Sequence, residues 1–543
     1  MNSGERQYIL DLKNLNISFG DRHVVRNASL RLERGEVFAL VGESGSGKTL
    51  LGRSLLGLLP PAATSAAERL VLDGDDLSKA PQSRWRSVRG SKVGLIFQEP
   101  MVSLNPSLPI GTQLAEAMRL HTKLSLPEIR EMACELLAKV RVPDPAAALH
   151  RFPHQFSGGL RQRIMLASVL LPRPKLLIAD EPTTALDVIV QKQVLDVMVA
   201  LTRELGTTVL LITHDLGLVA KYADRVAVMR NGEILESGKV DTILTAPKHE
   251  YTRNLLASVS RVFEGPHSKN NAPALLQLSN VRVSYSSTGS SFLGSRTAPI
   301  EALKGISLEI KKGETLAIVG ESGSGKSSLG RAVLGLNRIS SGTIRFDDLL
   351  LGPEARRGTW ALGGQAQMIF QDPYSSLNPR MRTLQAVCEG LLQVRSLSSA
   401  ARTERGMTAL QEVGLAGYES RYPHQLSGGQ RQRLCIARAL IVRPKLLIAD
   451  EPIAALDATI QSQILDLLSD LKRAHEFTCI FISHDLAAVR RIADRVAVLC
   501  RGELVECGST EALFETPRHD YTKQLLEARP LLLREENGNC RLV

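Results

Sequence analysis

Gly42-Glu43-Ser44-Gly45-Ser46-Gly47-Lys48-Thr49 stands directly after the apolar run Val37–Val41 and directly before a helical pattern. In that strand–loop–helix context, G-x-x-x-x-G-K-[ST] acts as a phosphate cradle. Gly42, Gly45 and Gly47 let successive backbone N–H groups curl around an anion, and the following helix N-terminus adds a favourable dipole. Lys48 neutralises terminal phosphate oxygens, and the Thr49 hydroxyl suits a Mg²⁺ ion.

The stretch is written twice. Gly320, Gly323, Gly325, Lys326 and Ser327 occupy the same positions in Gly320–Ser327, 278 residues further on. Arg173–Pro182 recurs as Arg443–Pro452, and Ala223–Val228 as Ala493–Val498, both at an offset of 270. Order is kept, and the second copy has lost a few residues early. A period this long suits a whole domain duplicated and fused, not a solenoid. The expected boundaries are a first domain over 1–262, a linker over 263–275 poor in periodic apolar residues, a second domain over 276–530 and a tail over 531–543. Ser286–Pro299, rich in Ser and Gly, has no counterpart in the first copy and reads as a surface hairpin extension.

Composition sets the outer limits. The 543 residues are 43% apolar and 4% aromatic with a net charge of +11 spread along the chain, so two to four globular domains are expected and no nucleic-acid partner is. A spanning helix needs about 20 consecutive apolar residues. Runs such as Val209–Ile212 stop after a few, and Met1–Gln7 carries no export signal, so the expectation is a cytosolic chain that crosses no membrane by itself. Seven cysteines without a C-x-x-C pair argue against a disulfide framework or a zinc or iron–sulfur site.

Leu15, Ile17 and Phe19 alternate at period two, as do Val281, Val283 and Tyr285, and read as half-buried strands. Val37–Val41, Leu176–Ala179 and Val209–Ile212 read as parallel strands buried on both faces, each followed by helical periodicity, which makes an α/β sheet the centre of each copy. The strand Leu176–Ala179 ends in Asp180-Glu181, and its twin in Asp450-Glu451. The first carboxylate suits a Mg²⁺ partner, and the second can polarise a water in line with a terminal phosphate. His214 and His484 follow a third core strand, at the carboxyl edge where such sheets bind ligands.

Between the loop and the acidic strand lie Ser157-Gly158-Gly159-Leu160-Arg161-Gln162-Arg163 and Ser427-Gly428-Gly429-Gln430-Arg431-Gln432-Arg433, each ahead of a helix. In that place they resemble the signature of the ATP-binding cassette (ABC) ATPases, and the resemblance covers nearly all of both halves. It implies two tandem P-loop NTPase domains of α/β class, each with a RecA-like core, an antiparallel β subdomain and a helical subdomain, using ATP and Mg²⁺. It further implies that Gln98 and Gln371 sense Mg²⁺ and water, that Ala185–Asp187 and Ala455–Asp457 are D-loops, and that Glu181, Glu451, His214 and His484 are catalytic. Phe19 and Tyr285 would stack on adenine, and Thr49, Gln98 and Asp180, with Ser327, Gln371 and Asp450, would serve the metal. In such proteins two cassettes face head to tail, so Lys48 would oppose Ser427, and Lys326 would oppose Ser157, within one chain and with no homodimer needed. Departures are Phe156 and Leu160 in the first signature and Ala454 beside the second D-loop; hydrolysis at both sites is the expectation.

Three further features resemble the ATPases of dipeptide, oligopeptide and nickel importers, with fusion of two cassettes narrowing this to the microcin C/oligopeptide and glutathione types. They are Ser103–Pro106 and Ser376–Pro379, Arg151–Gln155 and Arg421–Gln425, and the His-x-Tyr-Thr runs His249–Thr252 and His519–Thr522. This resemblance implies uptake of peptides or peptide-like solutes through two transmembrane permease subunits fed by an extracytoplasmic solute-binding protein, from the cytoplasmic face of the inner membrane. A tandem ABC ATPase acting on the ribosome is the alternative, but its long charged helical linker is missing from the short joint here. A metabolic P-loop kinase fails on the duplicated signature. Cargo identity is not written in these residues.

Overall fold

A computed structural model describes residues 8–43, 45–97, 104–183, 187–259, 272–285, 299–354, 362, 364–392, 397–454, 456–528, 532–534 and 540–542. The extension read at Ser286–Pro299 lies outside these residues but for Pro299, as does the linker up to residue 271. Contacts divide the chain into two compact units, Met1–Ser260 with Ala528–Val543, and Arg261–Glu527. No helix among the described residues is long and apolar enough to cross a membrane.

Unit 1 contains β1 (Tyr8–Phe19), β2 (Arg22–Glu33), β3 (Val37–Gly42), β4 (Ala63–Ala66), β5 (Arg69–Leu72), β6 (Asp75–Asp76), β7 (Val93–Ile96), β8 (Leu176–Asp180), β9 (Thr208–Thr213), β10 (Arg225–Arg230) and β11 (Glu233–Lys239). One sheet is antiparallel, in the order β2-β1-β5-β6 with β4 also on β1. The other runs β11-β10-β3-β9-β8-β7, parallel except for the β11 edge.

Every residue of β3, β8 and β9 is buried. Alternation still operates inside these runs, because each face has its own apolar partner. Phe38, Leu40, Leu176, Ile178, Leu210 and Ile212 join the core shared with the antiparallel sheet. Val37, Leu177, Ala179, Val209 and Leu211 face the opposite way, into a core made with helices Ile110–His121, Leu126–Lys139, Gly158–Leu170 and Val188–Leu205. The three-layer arrangement brings the carboxyl ends of β3, β8 and β9 to one edge, in register: Val41 lies beside Thr213, and Asp180 beside Ile212.

Unit 2 repeats the plan with β12 (Ala274–Tyr285), β13 (Ile300–Lys311), β14 (Thr315–Val319), β15 (Ser341–Phe346), β16 (Leu349–Leu351), β17 (Ala366–Ile369), β18 (Leu446–Asp450), β19 (Thr478–Ile482), β20 (Arg495–Cys500) and β21 (Glu503–Ser509). Its sheets run β13-β12-β15-β16 and β21-β20-β14-β19-β18-β17, the same orders as in unit 1. β22 (Leu532–Arg534) and β23 (Cys540–Leu542) form an antiparallel hairpin in the segment that clusters with unit 1.

Close backbone approach explains the first glycine of each loop. A Cβ on Gly42 would lie 2.0 Å from the Met229 carbonyl oxygen of β10, and one on Gly320 would lie 2.1 Å from that of Leu499 in β20. A backbone carbonyl held in a sheet cannot step aside as a side-chain tip can. Gly42→Ala is therefore expected to destabilise unit 1 by roughly 2–3 kcal/mol, the upper part of the overpacking range. Chemical denaturation of wild type and variant checks this, and a midpoint unchanged from wild type would show that the loop has other room.

Candidate active site

Each phosphate loop is held open by its own lysine. Lys48 Nζ donates to the carbonyls of Gly42 (2.8 Å) and Glu43 (2.7 Å), and Lys326 Nζ donates to those of Gly320 (2.8 Å) and Glu321 (2.7 Å). The two lysines are only 7% and 6% exposed, so these carbonyls replace water around a buried ammonium. Gly47 and Gly325, at φ 102° and 104°, turn the chain into helices Lys48–Ser54 and Lys326–Val333. Those left-handed values favour glycine.

At the foot of each loop a hydroxyl meets a carboxylate across the sheet. Thr49 Oγ1 donates to Asp180 Oδ1 at 3.2 Å, and Ser327 Oγ donates to Asp450 Oδ1 at 3.0 Å. Burial pushes the pKa of both aspartates up, opposed mainly by these hydroxyls. A partly desolvated carboxylate next to a hydroxyl is an all-oxygen donor set, the chemistry that Mg²⁺ takes.

The next residue turns sharply. Glu181 and Glu451 sit at φ 46° and 48°, a left-handed conformation unusual for glutamate, while their amides donate to the carbonyls of Ile212 and Ile482, each at 2.9 Å. Non-glycine residues hold such angles at a cost of about 1–3 kcal/mol, and they cluster at working sites. The turn brings each carboxylate to its histidine: His214 Nδ1 lies 3.0 Å from Glu181 Oε1, and His484 Nδ1 lies 3.3 Å from Glu451 Oε1. The hydrogen bond to Glu181 raises the His214 pKa, and the one from His484 lowers that of Glu451. Gln371 Nε2 also donates to Glu451 Oε2 at 2.6 Å. Its twin Gln98 lies outside the described residues.

Other expected residues lie nearby or apart. The Tyr285 hydroxyl, at the end of β12, is 3.0 Å from Ser328 Oγ on the loop's helix, and Asn337 Nδ2 donates to it at 2.8 Å. Phe19 ends β1 opposite Arg22 and Ala63, half-buried. Ser157 and Ser427 cap the helices that follow, their Oγ atoms accepting from the amides of Leu160 (3.4 Å) and Gln430 (3.3 Å). Only the second signature closes the reciprocal bond, from the Ser427 amide to Gln430 Oε1 at 2.9 Å, because Leu160 offers no acceptor. Gly159 and Gly429 pack against Val190 and Ile460, where a Cβ would come within 2.4 and 2.7 Å. Gly158 and Gly428 form the first turns of these helices. Ala185 and Ala455 lie outside the described residues, but Asp187 and Asp457 cap helices through the amides of Val190 (2.9 Å) and Ile460 (3.0 Å).

Sequence reasoning missed two connections. The Gln162 side-chain amide donates to the Pro182 carbonyl, tying the signature helix to the turn after Glu181. Tyr521 reaches the second phosphate loop, where its Oη accepts from the Glu321 amide at 3.0 Å. The repeated His-x-Tyr-Thr runs were the signal for the second.

A family model described as ABC transporter matches residues 25–184 and 303–454, and one described as oligopeptide/dipeptide transporter, C-terminal region, matches 235–284 and 505–539. The peptidoglycan transport ATP-binding protein YejF of Agrobacterium fabrum is 44% identical over 537 residues, covering 97% of both chains. The glutathione import ATP-binding protein GsiA is 43% identical in Shigella dysenteriae and 42% in Escherichia coli K12, over 558 residues that cover 96% of this chain and 90% of theirs. Among solved structures, the dimeric bacterial ABC transporter cassette MJ0796 is similar at 29% identity over 43% of this chain and 98% of its own, with a TM-score of 0.38.

The His214–Glu181 pair makes unit 1 pH-sensitive in the absence of nucleotide. With the His214 pKa raised above 6.5, the stabilisation is complete below 6.5 and lost as pH rises through the raised value. Histidine-ring NMR should place the His214 midpoint above 6.5, and Glu181→Gln should return it towards 6.5. An unshifted midpoint in the wild type would exclude the pair in solution.

Proposed function

Because the chain belongs to the ABC transporter family, as the ATP-binding and ATP-hydrolysing subunit of an importer, we propose that both acid–histidine pairs hydrolyse ATP held in the neighbouring phosphate loops. The convergence of loop lysine, hydroxyl–aspartate pair and glutamate–histidine pair on one sheet edge, repeated in each unit, is what carries this reading. The import relatives set aside a role on the ribosome.

In this reading the loop amides and Lys48 or Lys326 cradle the β- and γ-phosphates. Thr49 with Asp180, and Ser327 with Asp450, would hold Mg²⁺ together with Gln98 and Gln371. When bound, the ion neutralises charge on the transferred phosphoryl group. Glu181 and Glu451 take the proton of the attacking water, the Glu451 carboxyl being held below its usual range by the bond from His484, and the histidine fixes the carboxylate's direction. Gln371, donating to Glu451, joins the metal side to the base. Phe19 and Tyr285 take the adenine.

Ser157-Gly158-Gly159 and Ser427-Gly428-Gly429 present helix N-termini without a lysine, suited to the γ-phosphate of a nucleotide held by the opposite cassette. Only the triphosphate bridges both surfaces, so ATP favours a closed pair, and hydrolysis releases it. Closure at the cytoplasmic face of the membrane would drive two transmembrane permease subunits, loaded by an extracytoplasmic solute-binding protein. Peptide or peptide-like cargo accords with the match to the oligopeptide/dipeptide transporter region and with relatives named for peptidoglycan and glutathione.

Steady-state ATPase of Glu181→Gln and Glu451→Gln, each made singly, tests the base. Loss of a positioned general base costs about 10²–10⁴-fold at its own site. Each variant should therefore lose at least the share of turnover contributed by that site, and a variant at wild-type rate would mark a non-hydrolytic clasp. Composite pairing predicts non-additivity: Lys48→Ala with Ser427→Arg should cost little more than Lys48→Ala alone, whereas Lys48→Ala with Ser157→Arg should cost both sites. Equal losses from the two combinations would refute the crossed arrangement.

A further inference from the structure

The His-x-Tyr-Thr run His519–Thr522 opens the helix Asp520–Ala528, and its start is fixed from three directions. Glu506 on β21 accepts from the amides of Arg518 (2.9 Å) and His519 (3.1 Å), and His519 Nδ1 accepts from the Tyr521 amide (3.1 Å). This leaves Tyr521 little rotational freedom to lose, and its hydroxyl reaches the phosphate loop of the same unit. There Tyr521 Oη accepts the Glu321 N–H at 3.0 Å, while the carbonyl of the same peptide group, that of Gly320, accepts from Lys326 Nζ at 2.8 Å. One peptide plane at the mouth of the cradle is thus gripped at both ends, and rotating it would break both bonds.

We propose that Tyr521 is a positioning residue for the second nucleotide site, fixing the Gly320–Glu321 peptide so that the loop is already shaped when the phosphates arrive. The C-terminal helix thereby becomes part of the nucleotide site without touching nucleotide. Unit 1 builds the same frame, with Glu236 accepting from Lys248 (2.8 Å) and His249 (3.1 Å), and His249 Nδ1 from Tyr251 (3.1 Å). Tyr251 is 5% exposed, its ring lies 4.4 Å from the Arg230 guanidinium, and burial followed by the Glu43 charge raises its phenol pKa. The proposal is confined to the second loop, where the bond from loop amide to tyrosine is formed at 3.0 Å.

The inference rests on the nucleotide reading of Lys326, and the experiment separates the two. In the full chain carrying Lys48→Ala, so that the second loop is the one measured, Tyr521→Phe keeps the ring and removes the bond. Losing one such bond should weaken ADP and ATP binding alike, about 5–10-fold, with kcat at saturating ATP within about twofold. Hydrogen–deuterium exchange should quicken at the Glu321 amide while β14 stays as protected as before. Affinity within twofold of the parent, an unchanged Glu321 exchange rate, or exchange quickened equally in β14 would each overturn the proposal, the last by showing a merely structural tyrosine. If Lys48→Ala with Lys326→Ala still binds nucleotide, the reading of the loop itself falls; if that control is silent and Tyr521→Phe is neutral, only the role of Tyr521 does.

Discussion

A lysine ammonium folded back onto carbonyls of its own loop is the interaction on which the rest of each unit depends. Burying a charge is costly unless polar groups replace its water, and the Gly42 and Glu43 carbonyls do so for Lys48. Aiming carbonyls at the lysine fixes the loop's path. That path is possible only because Gly42 passes where a side chain would meet the Met229 carbonyl of β10. Strand packing, loop shape and the position of the positive charge are therefore one constraint, met identically in unit 2 by Lys326, Gly320 and Leu499.

The acidic edge follows from the same sheet. β8 and β18 are apolar to their last turn because both faces are covered, and their terminal aspartates remain partly buried against the loop hydroxyl. One residue later the backbone switches to left-handed angles at Glu181 and Glu451, with the amide still bonded to β9 or β19. Strain is tolerated there because the sheet anchors the peptide on one side and the histidine holds the carboxylate on the other.

The two copies are not equivalent in detail. Gln430 closes a capping box with Ser427, while Leu160 leaves Ser157 with a single bond, so the second signature helix begins more firmly. The difference is small beside the shared frame, about the size of one hydrogen bond. It nonetheless gives the two cassettes of one chain a physical basis for unequal nucleotide sites.

Residue pattern alone determined the duplication, the α/β class, the phosphate loops and the acidic strand ends, because these features are local: a glycine spacing, an apolar run, a charge where the run stops. Strand order was beyond its reach, as was the direct hydrogen bond from Thr49 to Asp180, 131 residues away, since both arise from long-range packing that no local period encodes. The left-handed turn at Glu181, the tie from Gln162 to Pro182 and the reach of Tyr521 to Glu321 were likewise settled only by tertiary structure. In each case a side chain of ordinary propensity gains its role from what the folded sheet sets opposite it.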